Sequence, residues 1–224
     1  RGDMAHVFVA MSGGVDSSAA ALLLQRAGHQ ITGVHLRLFR EDRDGAAAAR
    51  TDEEDAAAVA RRLGFPFQVL DLSQTFRETV VRNFIGEYQA GRTPNPCAVC
   101  NRTVKFGALL DRAREMGADY LATGHYARVR WDGDAGRHLL LRGRDRRKDQ
   151  SYFLYGLTQE QLAHVLFPLG DLDKDQVRRI AEERGLVNAR KRDSQDICFV
   201  PDGKYADFIQ RTMGAPAPAG DFLD

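Results

Sequence analysis

Ser12-Gly13-Gly14-Val15-Asp16-Ser17-Ser18 constrains this chain more than any other stretch. It follows the apolar run His6-Val7-Phe8-Val9-Ala10-Met11 and leads into Ala19-Ala20-Ala21-Leu22-Leu23-Leu24-Gln25. That pattern predicts strand, tight turn, helix. Paired glycines let the backbone turn sharply and approach a ligand with no Cβ in the way. Amides of the turn and of the first helical turn then converge on one spot, and the helix dipole makes that spot suit phosphate. Ser12, Ser17 and Ser18 add hydroxyl donors. The stretch is not a Walker A loop, because it lacks the terminal Gly-Lys-Ser/Thr. Asp16 is the odd member. A carboxylate beside phosphates repels them unless a cation bridges the two, which implies Mg²⁺. An ordinary βα turn with Ser and Asp capping a helix is the plainer alternative, but the heptapeptide is more specific than that requires.

Downstream, strand-like and helical runs alternate. Gly28 ends the first helix and Ile31 to Leu36 reads as a second strand. Glu41 to Thr51 is polar and alanine-rich, which suggests a loop, and Glu53 to Leu63 reads as helix stopped by Gly64 and Pro66. Phe67 to Leu72 is a third strand, Ser73 opens a helix to about Tyr88, Val104 to Met116 is another helix, and Tyr120 to Thr123 another strand. Strands separated by helices imply an α/β fold, a doubly wound and mainly parallel sheet with helices on both faces. Ligands of such sheets sit at the carboxyl ends of the strands, where both the Ser12 loop and Gly124-His125 fall. Ala127 to Trp131 and Arg137 to Leu141 flank Asp132-Gly133-Asp134-Ala135-Gly136, a hairpin signal. Helical patterns follow at Gln159 to Leu166, Lys174 to Glu183 and Tyr205 to Met213. These changes place a boundary near Gly143, with a nucleotide-binding domain over 4–142 and a smaller, mainly helical domain over 143–224.

The 224 residues, 43% hydrophobic and 28% charged, suit one sizeable α/β domain plus part of another. A formal net charge of +1 sets up no global field for a polyanion, so any nucleic-acid surface must be a local patch. Three cysteines, without a signal-peptide pattern, argue against a secreted disulfide framework and for the cytoplasm. No apolar run reaches membrane-spanning length, so no membrane partner is expected. Arg1-Gly2-Asp3 before Met4 reads as an expression scar.

Thr93-Pro94-Asn95-Pro96-Cys97-Ala98-Val99-Cys100-Asn101 is the second chemical segment. Its prolines predict a stiff loop delivering Cys97 and Cys100 just before a helix. Thiols there, with Arg102 and Lys105 close in sequence, should have lowered pKa values. Cys198, far along the chain in Ser194-Gln195-Asp196-Ile197-Cys198-Phe199, reads most simply as a small core residue. Cys-x-x-Cys could equally be half a zinc site, though zinc takes four ligands and no histidine neighbours either segment.

Together, Ser12 to Ser18, Gly91-Arg92-Thr93-Pro94-Asn95-Pro96, Cys100-Asn101, Lys105-Phe106, Ala122 to Arg128, Lys148-Asp149-Gln150-Ser151-Tyr152-Phe153-Leu154 and Asp193 to Phe199 resemble one family. The heptapeptide alone resembles the PP-loop of ATP pyrophosphatases, an adenine nucleotide α-hydrolase-like fold. The full set, running from Met4 essentially to Asp224, resembles the bacterial tRNA-specific 2-thiouridylases, the MnmA family. Members usually continue into a C-terminal β-barrel, so the resemblance implies a chain truncated before it.

The resemblance implies an ATP-dependent sulfurtransferase. It would 2-thiolate the wobble uridine of tRNA through an adenylated uridine, releasing AMP and diphosphate. Ala10, Met11, Ser12, Gly13, Gly14, Val15, Asp16 and Ser17 would hold the ATP phosphates, with Leu36 and Gly124 bordering the adenosine. Asn95, Pro96 and Cys97 would face the target base. Cys100 matches the nucleophile, Cys198 the persulfide carrier, and Lys148, Asp149 and Gln150 a tRNA-contacting segment. Asp16 counts with Cys100 and Cys198 among the catalytic residues. Implied partners are tRNA and a sulfur-donor protein fed by a cysteine desulfurase. Many members have Asp where Cys97 stands. The cysteine form raises a second version, in which Cys97, Cys100 and Cys198 ligate a [4Fe–4S] cluster whose fourth iron binds hydrosulfide. The residues suit sulfur transfer on their own: a urea-like carbonyl oxygen leaves poorly until adenylated, and a sulfur nucleophile must then reach the same carbon.

Arg142, Arg144, Arg146, Arg147 and Lys148 form a basic cluster, and Arg190-Lys191-Arg192 a second candidate for RNA phosphates. Tyr152, Phe153 and Tyr155 could stack on a splayed base, but their spacing favours core. His125 reads as a hydrogen-bonded histidine near the nucleotide. Two competing functions remain. A PP-loop adenylating ligase or synthetase would not need three thiols in these places, and a zinc-stabilised RNA-binding module would leave the Ser12 loop without a role.

Overall fold

A computed structural model describes residues 4–39, 45–191, 197–200 and 203–214, with backbone alone over 45–50. In chain order the elements begin with β1 (His6–Ala10), α1 (Val15–Arg26), β2 (Gln30–Arg37), α2 (Gly45–Leu63) and β3 (Phe67–Asp71). Two long helices follow, α3 over 73–89 and α4 over 96–115. Next come β4 (Tyr120–Ala122), the hairpin strands β5 (Ala127–Asp132) and β6 (Arg137–Arg142), and α5 (Gln159–Ala163). The last are β7 (Val165–Leu166), α6 (Lys174–Glu183) and α7 (Tyr205–Met213).

Five strands form one parallel sheet in the order β3-β2-β1-β4-β7, and β5 and β6 pair antiparallel beside it. Alternate residues of β1 enter different layers. Val7 and Val9 pack with Ala21 and Leu24 of α1 and with Ala56, Val59 and Ala60 of α2. Phe8 packs with Phe106, Leu109 and Ala113 of α4 on the opposite face. Burial on both faces is why β1 reads as an unbroken apolar run. The chain winds outward from β1 to β3 and then returns to β4 on the other side of β1. The β1/β4 crevice is therefore the switch point where α/β sheets hold ligands.

Several sequence expectations need correction. Residues 45–51, expected as loop, are helical, as an alanine run permits. The cysteine segment is not a loop. Its helix begins at Pro96, eight residues before the expected Val104, with Pro in the first turn and the Asn95 side chain accepting from the Ala98 amide at 3.1 Å. The expected helix Gln159 to Leu166 stops at Ala163, and Val165–Leu166 becomes the fifth strand, Leu121 opposite Val165. A two-residue strand carries no periodicity to read. Val165–Leu166 and α6 both lie beyond Gly143 and yet join the sheet and the layer under α1. Arg192, most of the Asp193 to Phe199 motif and 215–224 fall outside the described residues.

Candidate active site

The Ser12 loop crosses from β1 to α1 in the β1/β4 crevice. Gly13 has φ +79°, and a Cβ there would run into the Asp52 carbonyl where α2 crosses the loop. Gly14 caps α1 without a side-chain acceptor, which leaves the first-turn amides as donors toward the crevice. The hydroxyls brace the loop from within. Ser17 Oγ accepts from the Ser12 amide at 3.2 Å and donates to the Gly14 carbonyl at 3.1 Å, while Ser18 Oγ donates to the same carbonyl at 3.0 Å. Buried Asn188 donates from Nδ2 to the Gly13 carbonyl and to Ser18 Oγ, each at 2.9 Å. Gly124, after β4, closes the other wall: a Cβ there would stand 2.7 Å from the Ser17 amide nitrogen. Met11 is core, and Ala10 and Leu36 are half-buried at the ends of β1 and β2.

Asp16 is where the sequence inference changes. Both its oxygens accept from Lys174 Nζ at 2.7 Å, and Oδ1 also accepts from Tyr126 Oη at 2.8 Å. Lys174 is 7% exposed in its side chain and Asp16 28%. The cation beside the loop is thus an internal lysine, and Asp16 so engaged does not fit a direct Mg²⁺ ligand. The first-turn amides do fit phosphate oxygens. Lys174 opens α6, behind the Asp173–Gln176 capping box. Its amide donates to buried Asp145 at 3.3 Å, and the Arg147 amide donates to the same carboxylate at 3.0 Å. Burial opposes ionisation of Asp145, but these amides and the Arg147 charge outweigh it and hold its pKa low.

Cys97 and Cys100 lie in the first turns of α4. Cys97 is exposed, Cys100 buried and Cys198 exposed, and all three are free. Cys100 packs with Val104, Phe199 and Val200, so the distant 197–200 segment folds back onto the cysteine helix. An unusually wide π-helical run, Asn101–Leu109, begins right after Cys100 and carries Lys105. The expected lowering of the thiol pKa values does not occur. Burial raises both Cys97 and Cys100, only partly countered by Lys105. Cys198 is pushed up to about 12, first by burial of its sulfur and then by Cys100, against Lys105. Lys105, rather than Arg102, is the cation acting on all three. It also acts on His125, whose pKa burial drives well below its ordinary value. His125 Nδ1 lies 2.7 Å from Thr123 Oγ1, and its ring sits between Phe106 and Phe167. Among the described residues no three of His, Cys, Asp or Glu stand close enough to hold a metal ion. The thiols share a neighbourhood without forming a cluster ligand set.

The RNA-directed residues divide. Arg144, Arg146 and Arg147 line a crevice of about 360 Å³ with Asp145, Asp173, Asp175 and Gln176. Lys148 is half-buried. Asp149 and Gln150 tie the loop down within the chain. Asp149 accepts from the Gly143 amide at 2.9 Å and from Ser151 Oγ at 3.0 Å, and Gln150 accepts from the Tyr126 amide at 3.0 Å. Lys191 is paired within the chain. It holds Asp52 at 2.7 Å and Asp55 at 2.5 Å, and Arg190 holds Glu182 at 3.2 Å. Asn95 is exposed and Pro96 buried. Tyr152 and Tyr155, expected in the core, are 58% and 76% exposed. Lys174, Asn188 and the role of Tyr126 were not legible in the sequence, because each partner lies more than 100 residues away.

A braced anion cradle at the switch point of a five-stranded parallel sheet defines a nucleotide-binding α/β domain of the HUP class. The chain belongs to the family described as tRNA methyl transferase HUP domain, whose model matches residues 5–202. It is 49% identical over 225 aligned positions to the tRNA-specific 2-thiouridylase MnmA 1 of Caldanaerobacter subterraneus subsp. tengcongensis, covering 98% of this chain and 62% of that one. It is 52% identical over 221 positions to the tRNA-specific 2-thiouridylase MnmA of Moorella thermoacetica, covering 96% and 62%. The chain thus spans about 62% of the length of these relatives. The U34-tRNA thiolase NcsA from Methanococcus maripaludis with its [4Fe-4S] cluster shares the fold, with TM-score 0.51 and 18% identity over 93% of this chain and 66% of that chain.

Proposed function

We propose that this chain is the ATP-using and sulfur-transferring part of a tRNA uridine 2-sulfurtransferase, with tRNA and a sulfur-donor protein as partners in the cytoplasm. One observation carries the reading. Cys100 and the Cys198 segment pack together, and Lys105 links them to His125, next to the Gly124 wall of the anion cradle. The packing of the Cys198 segment on the cysteine helix supports a thiol pair that serves the adenylating site. The family relationship and the thiouridylase names of the relatives support the same reading.

In this account the loop amides hold ATP, brought with Mg²⁺, and Lys174 keeps Asp16 from repelling the phosphates. The uridine C2 oxygen attacks the α-phosphorus and diphosphate leaves. A persulfide on Cys198, loaded by the donor, attacks C2, and AMP departs with the former oxygen. Cys100, its thiol proton passed to solvent, then attacks the Cys198 sulfur as the thiolate. That step forms a Cys100–Cys198 disulfide and leaves the outer sulfur on the uridine, and an external dithiol then reduces the disulfide, itself becoming a disulfide, to reset the pair. Burial keeps the resting thiols protonated, and a persulfide is a stronger acid than its parent thiol, so ionisation favours the loaded state. The three-cysteine cluster version has no assembled ligand set, so no step runs through it. A ligase or synthetase leaves the thiol pair without a role, and a zinc-stabilised module leaves the cradle without one.

The Gly143 division is then one of role. Residues 4–142 hold the nucleotide and the Asn95–Cys97 face, and 143–224 supply Lys174, the arginine crevice and Cys198. Diphosphate release measured with and without tRNA tests the proposal: release should require tRNA, and a rate indifferent to tRNA refutes it.

A further inference from the structure

The Lys148–Leu154 segment carries a feature that the proposed chemistry does not use. Ser151–Phe153 forms one tight turn against the Pro96–Cys100 end of α4. Asp149 fixes the turn from one side through the Ser151 amide (3.2 Å) and hydroxyl (3.0 Å). Asn101, next to Cys100, fixes it from the other, its Nδ2 donating to the Phe153 carbonyl at 3.4 Å. Gly156 closes against Arg102, whose Cδ a Cβ would meet at 3.2 Å. The turn is therefore held rigidly on the cysteine helix. Yet the ring at its tip is 58% exposed. It is braced from behind by Phe153, with ring centroids 3.9 Å apart and planes tilted 35°. Cys97 is close enough that its charge helps burial to raise the Tyr152 phenol pKa.

We propose that Tyr152, backed by Phe153, is a stacking platform for an unpaired pyrimidine of the substrate RNA, the target uridine itself. A base drawn out of its own stack loses stacking on both faces, and single-stranded RNA is commonly read by replacing that loss with an aromatic ring. The platform lies beside the thiol helix and directly after the basic Arg142–Lys148 run. A strand held there by its phosphates would pass over the ring on its way to Cys100. The anchored turn keeps the ring in place before RNA arrives, so little ordering is needed on binding. This inference rests on the RNA-thiolating function proposed above.

A double-mutant cycle tests it. Affinity for an anticodon stem-loop is measured with the target uridine present and with an abasic residue in its place, for wild type, Tyr152→Ala and Tyr152→Phe. Stacking by one aromatic residue corresponds to a loss of about 5- to 150-fold on truncation. Tyr152→Ala should weaken the intact stem-loop by that factor and change the abasic one less than about twofold, and Tyr152→Phe should bind both like wild type. Equal losses on both RNAs overturn the platform in favour of a structural role, and no loss on either overturns it outright. The wild type separates the two levels. If it binds neither RNA in a salt-dependent way, the RNA function fails. If it binds and thiolates but shows no coupling to Tyr152, the platform alone fails.

Discussion

Lys174→Met probes the least expected feature of the site. The substitution keeps the side-chain length and removes the ammonium, leaving the Asp16 carboxylate with the Tyr126 hydroxyl at 2.8 Å. Breaking one side of a buried ion pair costs about 3–5 kcal/mol. Here Lys174 is 7% exposed but Asp16 is 28% exposed, so water relieves part of the loss. That lowers the expectation to about 2–3 kcal/mol, or a Tm drop of about 4–12 °C for a chain of this size. Neutralising both partners should be far gentler, since a buried pair replaced by uncharged groups is often neutral. Asp16→Asn/Lys174→Met should therefore lie within about 1 kcal/mol of wild type. Urea melts of the four proteins give the cycle, and the KM for ATP supplies a second readout. KM should rise in Lys174→Met, where an unopposed carboxylate meets the phosphates, and recover in the double variant. A Lys174→Met loss under about 1 kcal/mol, or a double variant no better than the single, refutes the pairing as the reason Asp16 is tolerated beside phosphate.

Other perturbations read other parts of the site. Arg146→Glu/Arg147→Glu should weaken tRNA binding and make the log–log salt slope shallower by about 1.4–1.8, with ATP affinity unchanged, and an unaltered slope means that these arginines only face solvent. His125 is buried neutral, its pKa well below 6.5, so an unfolded chain binds a proton at mildly acidic pH that the folded chain refuses. Its contribution to stability is full above pH 6.5 and is lost as pH falls toward its folded pKa, with a slope of up to about 1.4 kcal/mol per unit. Urea melts between pH 7 and 5 should show this slope, and His125→Asn should lack it. The thiols run the other way. Cys198, raised from 9.0 to about 12, favours folding below pH 9, and that contribution declines as pH climbs toward 12.

Local features of the fold were legible, because their causes are local. The Ser12 turn, the hairpin and α6 each follow from neighbouring residues. What escaped depends on distance in the chain. Pro96 reads as a loop residue until Asn95 is seen capping the helix it starts. Val165–Leu166 is a strand only because β4 offers it an edge. The thiol pKa values were misjudged because a helix N-terminus and a nearby lysine are visible in sequence, whereas the burial that outweighs them is not. Nothing local to Asp16 announces Lys174 as its partner, 158 positions away. Tyr152 looked like core because its spacing fits a helix face, and only the folded turn turns it outward.

The most direct test of the central claim is thiolation of tRNA by single-cysteine variants supplied with ATP and a persulfide donor, read as 2-thiouridine by mercury-gel shift. The account predicts thiolation by wild type and by Cys97→Ala, and none by Cys100→Ala or Cys198→Ala. Thiolation by Cys198→Ala at the wild-type rate would contradict it.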